Sequence, residues 1–197
     1  MIDIDTLLAW GAAYKKVSPE EAIFQEGTEC HFYYQLVEGS VRWVNITDDG
    51  KEFIQNMIEP GECFGELPLF DDEPYAASAI ANKESVVIRL NKSTFKQLLK
   101  EQPELHFKFS AMLTQRLRFK FLFTQELANA NPEHTIITLF NYFKKTNRHF
   151  CPNCKKVQLT RQQLANMTGL RVETVIRAIK HLEEKGSLSI DKGKIYY

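Results

Sequence analysis

The chain changes its periodicity at Leu90, and that change limits the folds open to it. Before it, from about Tyr14, apolar residues come in short β-rich runs cut by turns. "FYYQLVEGSVRWVNI" breaks at Glu38-Gly39, "TDDGKEFIQNMI" holds an Asp-Gly pair of the hairpin type, and "EPGECFGEL" and "DDEP" are further turn clusters. "YAASAIANKESVVIRL" closes the block. Short strands at such regular spacing predict a small antiparallel barrel or jelly roll with no helix of any length inside it. Beyond Leu90 the spacing is helical. Asn91 or Ser93 can cap a short helix that Pro103 interrupts, and one glycine-free helix follows to about Asn129. On it Leu105, Phe109, Leu113, Leu117 and Phe121 recur every four residues, with Leu127 continuing the apolar side. A stripe that long points to a seam between two copies of the chain; the other reading is a helix packed on its own barrel. "NANPEH" breaks this helix, and another is expected from His134 to Lys145. The fold class is therefore α+β.

With 197 residues the chain can bury two modest cores. The expected domains are a barrel at 1–101, a dimerisation helix at 102–130 and a DNA-binding domain at 131–197. Charge supports the division. From Lys155 to Tyr197 there are nine Lys and Arg against four acids, about +5, while the whole chain is neutral, which leaves about −5 on the rest. A basic end on an acidic body suits a partner that presents phosphates to one end only. There is no run of about 18 apolar residues and no basic region ahead of the first apolar stretch, so the reading is a cytoplasmic chain with no membrane partner.

The most specific segment is "LTRQQLANMTGLRVETVIRAIKHLEEKG", residues 159–186. Thr160 and Gln163 are spaced as a capping box, and Gly169 allows the left-handed backbone of a tight turn between helices. Leu164, Ala165, Leu170, Val175 and Ala178 pack the two helices together, which leaves Val172, Glu173, Ile176 and Arg177 facing outward. Glu173 and Arg177 lie one turn apart, and on an arbitrary helix they would form a weak ion pair. In a basic helix-turn-helix they acquire another use: Arg177 can bond guanine O6 and N7, and Glu173 can accept from cytosine N4. "SLSIDKGKIYY" adds a hairpin, Ser187–Ile190 and Lys194–Tyr197, turning at Lys192-Gly193. That is a wing.

Both halves resemble the CRP/FNR transcription regulators. "LTRQQLANMTGLRVETVIRAIKHLEEKG" is similar to the family's signature, with its E-T-V-x-R core at Glu173, Thr174, Val175 and Arg177. "YYQLVEGSVRW" followed by "DDGKEF" resembles the barrel's glycine turn and hairpin, and "PGECFGELPLF" resembles the phosphate-binding cassette at Gly65, Glu66 and Leu67. The resemblance implies a homodimer joined through the long helix, reading a near-palindromic duplex site with a T-G-A core, with RNA polymerase as a partner. It assigns DNA contact to Arg161, Val172, Glu173, Thr174, Ile176 and Arg177. Val172 stands where the cAMP receptor branch carries a base-reading arginine, and "VET" is what the FNR branch carries, so a TTGA-type half-site is expected. Ile176 replaces that branch's serine and can meet a thymine methyl.

The resemblance places an effector pocket at Gly65, Glu66, Leu67, Tyr75, Ala76, Lys120 and Phe121. In cyclic-nucleotide binders an arginine of this cassette pairs with the cyclic phosphate. Here Tyr75 takes its place, and a phenol brings no charge to a buried anion. Lys120 and Phe121 fall near the family's adenine-contacting Thr-Ser pair. The sequence thus argues against cAMP and leaves the effector unknown. No cysteine cluster precedes Cys30, and His31 and His106 lack the setting of haem ligands. In the connector, Cys151-Pro-Asn-Cys154 is half of a zinc knuckle, with His149 as a third candidate ligand; a dithiol switch beside Lys155 and Lys156, and an inert loop, are the other readings. Cys30 and Cys63 are expected as buried apolar residues. No nucleophile–base pairing, P-loop or dinucleotide fingerprint is present, so the chain is not read as an enzyme. Two further functional readings stand beside the effector-controlled regulator. One is a nucleotide-binding module acting on a protein partner; the other is an effector-independent DNA binder whose barrel is a dimer scaffold.

Overall fold

The computed structural model describes residues 1–129 and 131–197, and only the backbone of Leu127 and Asn129. The expected continuation of the apolar side at Leu127 therefore lies outside the described side chains. The chain divides into two compact units, Met1–Leu113 and Thr114–Tyr197.

The first unit opens with a short helix, α1 (Ile4–Ala9), whose cap Asp3 accepts from the Thr6 N–H. Eight strands follow: β1 (Ala13–Val17), β2 (Ala22–Phe24), β3 (Phe32–Glu38), β4 (Val41–Ile46), β5 (Glu52–Ile58), β6 (Cys63–Phe64), β7 (Ser78–Ala81) and β8 (Ser85–Asn91). They form two antiparallel four-stranded sheets, ordered β1-β8-β3-β6 and β2-β7-β4-β5, as expected of a jelly roll. The turns fall at the expected glycines: β3 passes to β4 through Gly39, and β4 to β5 through a loop holding Gly50. One expectation fails, because a helix of five residues, α2 (Leu67–Asp71), sits between β6 and β7. Pro68 in its first turn needs no backbone donor there, so a segment that reads as a turn closes one helical turn instead.

Asn91 caps α3 (Lys92–Glu101), accepting from the Ser93 N–H. The long helix α4 (Glu104–Asn129) begins after Pro103. Its four-residue stripe is not one face. Leu105 and Phe109 are buried in the core of the first unit, where Phe109 meets Phe95 edge-on at 5.5 Å, whereas Leu117 and Phe121 are 55% and 69% exposed. A step of four residues overshoots a helical turn by about 40°, so four steps rotate the stripe by about 160°. The reading of a helix packed on its own barrel thus holds for Leu105 and Phe109, while Leu117 and Phe121 are left on the surface. A heptad step drifts by only about 20°. It joins Phe107, Thr114 and Phe121, all exposed, on one face.

A buried cation braces the β2-β7-β4-β5 sheet. Arg42 on β4 donates to both carboxylate oxygens of Glu20 (2.6 and 3.1 Å), to Glu52 (3.0 Å) and to Asn82 (3.0 Å). A guanidinium this enclosed requires such partners, and the hydrogen bonds from Arg42 hold the Glu20 carboxyl below its usual range.

The second unit holds the end of α4, then α5 (Pro132–Thr146), α6 (Arg161–Thr168), α7 (Val172–Glu184), β9 (Ser189–Asp191) and β10 (Lys194–Tyr196). α5 starts two residues earlier than expected, because Asn131 caps it by accepting from the Glu133 and His134 N–H groups. Ile136, Leu139, Phe140 and Phe143 of α5 are buried, as are Leu164, Val175, Ile179 and Leu182 of the next two helices. Glu133 ties the start of α5 to the end of α7 through Lys185 and His181. Among the described residues no helix is long and apolar enough to cross a membrane.

Candidate nucleic-acid interface and effector barrel

The helical hairpin forms as its local chemistry requires. Thr160 accepts from the Gln163 N–H at 3.1 Å, and the Gln163 side chain accepts from the Thr160 N–H at 2.9 Å, completing the capping box. Gly169 ends α6 at φ +69°, and α7 starts three residues later. Leu164, Ala165, Val175 and Ala178 are buried where the helices meet, with Leu170 half-buried beside them. Thr168, which the sequence pattern did not single out, is also buried, and its hydroxyl donates to the Leu164 carbonyl at 2.7 Å.

This packing leaves one face of α7 outside. Glu173, Ile176 and Arg177 are exposed, and Val172 and Thr174 half-buried. The ion pair that their spacing permits is not made: among the described residues neither Glu173 nor Arg177 engages another group. Arg171, at the cap position, is exposed and makes no side-chain cap bond; the Thr174 N–H turns back to the Arg171 carbonyl at 3.0 Å, and the start of α7 has no side-chain cap beside that face. β9 and β10 pair as the expected wing, with Lys194 opposite Asp191 and both Lys192 and Gly193 at positive φ in the turn. Arg161 is committed to this wing, since its guanidinium donates to the Gly193 carbonyl at 2.7 Å. A hollow of about 400 Å³ between the wing and the start of α6 is lined by Lys156, Thr160, Arg161 and Lys194 among others.

The barrel's cassette folds differently from an open pocket. Gly65 adopts φ +65°, and a Cβ there would lie 2.4 Å from Phe24 Cζ and 3.0 Å from Tyr75 Cε1. Tyr75 stacks on Phe24 with ring centroids 3.8 Å apart, and Phe64 and Tyr34 complete the aromatic cluster. The Tyr75 ring is buried, and its hydroxyl donates to Cys30 Sγ at 3.2 Å. Burial, followed by the contact with Cys30, pushes the phenol well above its usual range, so it stays protonated. Glu66 is buried at the start of α2, while Leu67 and Ala76 are exposed. Lys120 and Phe121 belong to the second unit. Lys120 is half-buried, and burial lowers its pKa. His31 and His106 are exposed, and Cys30 and Cys63 are buried as expected.

In the connector, Phe150 and Val157 pair as an antiparallel bridge, and Cys151-Pro-Asn-Cys154 forms the turn between them. The Cys154 thiol, then the N–H groups of Cys154 and Asn153, hydrogen-bond to the Cys151 sulfur and lower its pKa. His149 does not join the pair. It is buried edge-on against Phe143, with ring centroids 4.7 Å apart. Among the described residues no three of His, Cys, Asp and Glu gather where they could hold a metal ion. The three-ligand zinc set is thus not assembled within this chain.

A two-sheet β-domain with a glycine-turn cassette, a long helix and a winged helix-turn-helix define a class of one-chain sensor–regulators. Residues 14–102 match the family model of the cyclic nucleotide-binding domain, and residues 136–196 match that of the Crp-like helix-turn-helix domain. The chain is 29% identical over 191 residues to the cAMP-activated global transcriptional regulator CRP of Pasteurella multocida, covering 94% of this chain and 91% of that protein. Its fold is similar to that of the c-di-GMP responsive global regulator CLP of Xanthomonas campestris, with TM-score 0.79 and 21% identity over 98% of this chain and 96% of the other. FixK2 of Bradyrhizobium japonicum is also similar in fold, with TM-score 0.76 and 22% identity over 94% of this chain and 91% of the other. The chain belongs to the CRP/FNR family of transcription regulators, which are DNA-binding proteins and not enzymes.

Proposed function

We propose that the chain is a homodimeric, cytoplasmic regulator that reads a near-palindromic site with a T-G-A core through α7. The observation that carries this reading is the exposed, uncommitted pair Glu173 and Arg177 on one turn of α7. Arg177 bonds guanine O6 and N7, Glu173 accepts from cytosine N4, and Ile176 packs on a thymine methyl, which favours a TTGA-type half-site. Val172 and Thr174 fit the helix to the groove wall. The open N-terminus of α7 with Arg171, and the Lys156 and Lys194 cations by the wing, suit phosphates on either side. Arg161 contributes by holding the wing tip. The exposed face of α4 at Phe107, Thr114, Leu117 and Phe121 forms the seam with a second copy, which sets two recognition helices about 34 Å apart. RNA polymerase is the partner through which DNA binding acts on transcription.

The similar proteins include a cAMP-activated regulator and a c-di-GMP responsive one. For this chain the cassette argues against cAMP and leaves the effector unknown. The cassette's arginine position holds a buried phenol turned toward Cys30, and its ring packs against Phe24 and Gly65. The same packing favours a second reading, in which the barrel is a dimer scaffold and DNA binding needs no effector. The reading is tested by electrophoretic mobility on a palindrome of TTGA-type half-sites against scrambled DNA. Binding that prefers the palindrome is expected, and equal binding to both would refute it.

A further inference from the structure

We propose that Cys151 and Cys154 are a reversible dithiol–disulfide site whose oxidation state alters the wing and, through it, the affinity for DNA. The last clause rests on the DNA-reading proposal above; the chemistry of the site does not.

Three features carry the inference. The two sulfurs are neighbours, with the Cys154 thiol hydrogen-bonded to Cys151 and both residues uncrosslinked. Residues at this spacing close a disulfide within a single turn, and the turn is already shaped: the Lys155 N–H bonds the Cys151 carbonyl at 2.9 Å, and the Cys151 N–H bonds the Lys156 carbonyl at 2.9 Å. Second, the N–H groups of Asn153 and Cys154 aim at the Cys151 sulfur, where they stabilise a thiolate, while Cys154 is exposed to solvent. Third, the turn is attached to the wing. Lys156 bridges Tyr196, the Val157 N–H bonds the Ile195 carbonyl at 2.8 Å, and the Tyr197 N–H bonds the Lys155 carbonyl at 3.2 Å. The chain then runs within a few residues into Thr160, the cap of α6. A change of backbone at the cysteines therefore reaches both the wing and the first helix of the hairpin.

The oxidant is a low-molecular-weight disulfide. The Cys151 thiolate attacks one of its sulfurs, forming a mixed disulfide and releasing one small thiolate. Cys154, giving its proton to solvent, then attacks the Cys151 sulfur and releases the second. Two electrons leave the cysteine pair and reduce the small disulfide to two thiols, so the exchange is balanced without a metal. A zinc site would instead need four ligands, and this turn brings two.

The test equilibrates the full-length protein with glutathione and oxidised glutathione over a range of ratios. It then reads the peptide holding residues 151–154 by mass and the affinity for the TTGA palindrome by fluorescence anisotropy. We expect a loss of two hydrogens confined to that peptide, a change in affinity of about fivefold or more across the transition, and no change in the double variant Cys151→Ser, Cys154→Ser. Free thiols at both positions at the most oxidising ratio, or zinc held by the purified protein at these cysteines, would overturn the site. A disulfide that leaves wild-type affinity unchanged would overturn its link to the wing. Specific binding by the reduced protein is read in the same titration, so failure of the DNA-reading proposal shows itself separately.

Discussion

On α7, Glu173 and Arg177 stand exposed and uncommitted; in the barrel, Gly65, Glu66 and Tyr75 are enclosed by the core around them. Both sets lie in stretches whose sequence resembles a binding motif. The difference lies in what the neighbouring residues do. Around α7, Val175, Ala178, Ile179 and Leu182 are buried against α5 and α6, which leaves Glu173, Ile176 and Arg177 on the open face. Around Gly65 the ring of Phe24 fills the space a Cβ would occupy, and Tyr75 stacks on it. The glycine is required there by packing, whether or not a phosphate ever approaches. A retained motif is therefore informative about binding only where its side chains are left uncommitted.

The sharpest way to break this comparison is to empty the barrel cluster. Tyr75→Ala removes a stacked, buried ring and is expected to lower the stability of the chain by about 3 kcal/mol in chemical denaturation. A cost below about 0.5 kcal/mol would mean that the ring is not a structural filler. Calorimetric titration of the wild type with cAMP sharpens the same point: no saturable binding at micromolar levels is expected, whereas micromolar binding would show that the cassette works without its arginine.

A smaller effect is expected in the second unit. Thr160→Ala opens the capping box and should cost about 1 kcal/mol, together with weakened DNA binding as α6 frays. Unchanged stability would show that the hairpin does not depend on its cap.

The smallest effect is electrostatic. Lys92 and Lys96 hold the exposed Asp72 carboxyl at about 2, below the ordinary 3.8. A carboxyl depressed in the folded state contributes above its unfolded pKa, and the contribution is lost as pH falls from near 4 toward 2. Acid titration of Asp72→Asn should accordingly show a shallower fall in stability over that window than the wild type. Identical slopes would remove Asp72 from the account.

What could be read in the sequence was what neighbours along the chain decide. The capping box at Thr160, the turn at Gly169, the wing turn at Lys192-Gly193 and the hairpin glycines each depend on a few adjacent residues, and each is found where expected. Long-range pairing was not legible. Nothing near Arg42 in the sequence announces Glu20 and Asn82 as its partners, and nothing near Tyr75 announces Phe24. The apolar stripe of α4 was legible only in part for a geometric reason, since four-residue spacing turns slowly around a helix: Leu105 and Phe109 are buried in the barrel core while Leu117 and Phe121 are exposed.

The most direct test of the central claim is a cycle between one side chain and one base. Affinities of the wild type and Arg177→Ala are measured on the TTGA palindrome and on the same duplex with the guanine of each T-G-A core replaced. The wild type should lose about 1–3 kcal/mol per half-site on replacement, and Arg177→Ala should be nearly indifferent to it. Equal losses for both proteins would mean that Arg177 does not read that base, and the assignment of the α7 face would fall.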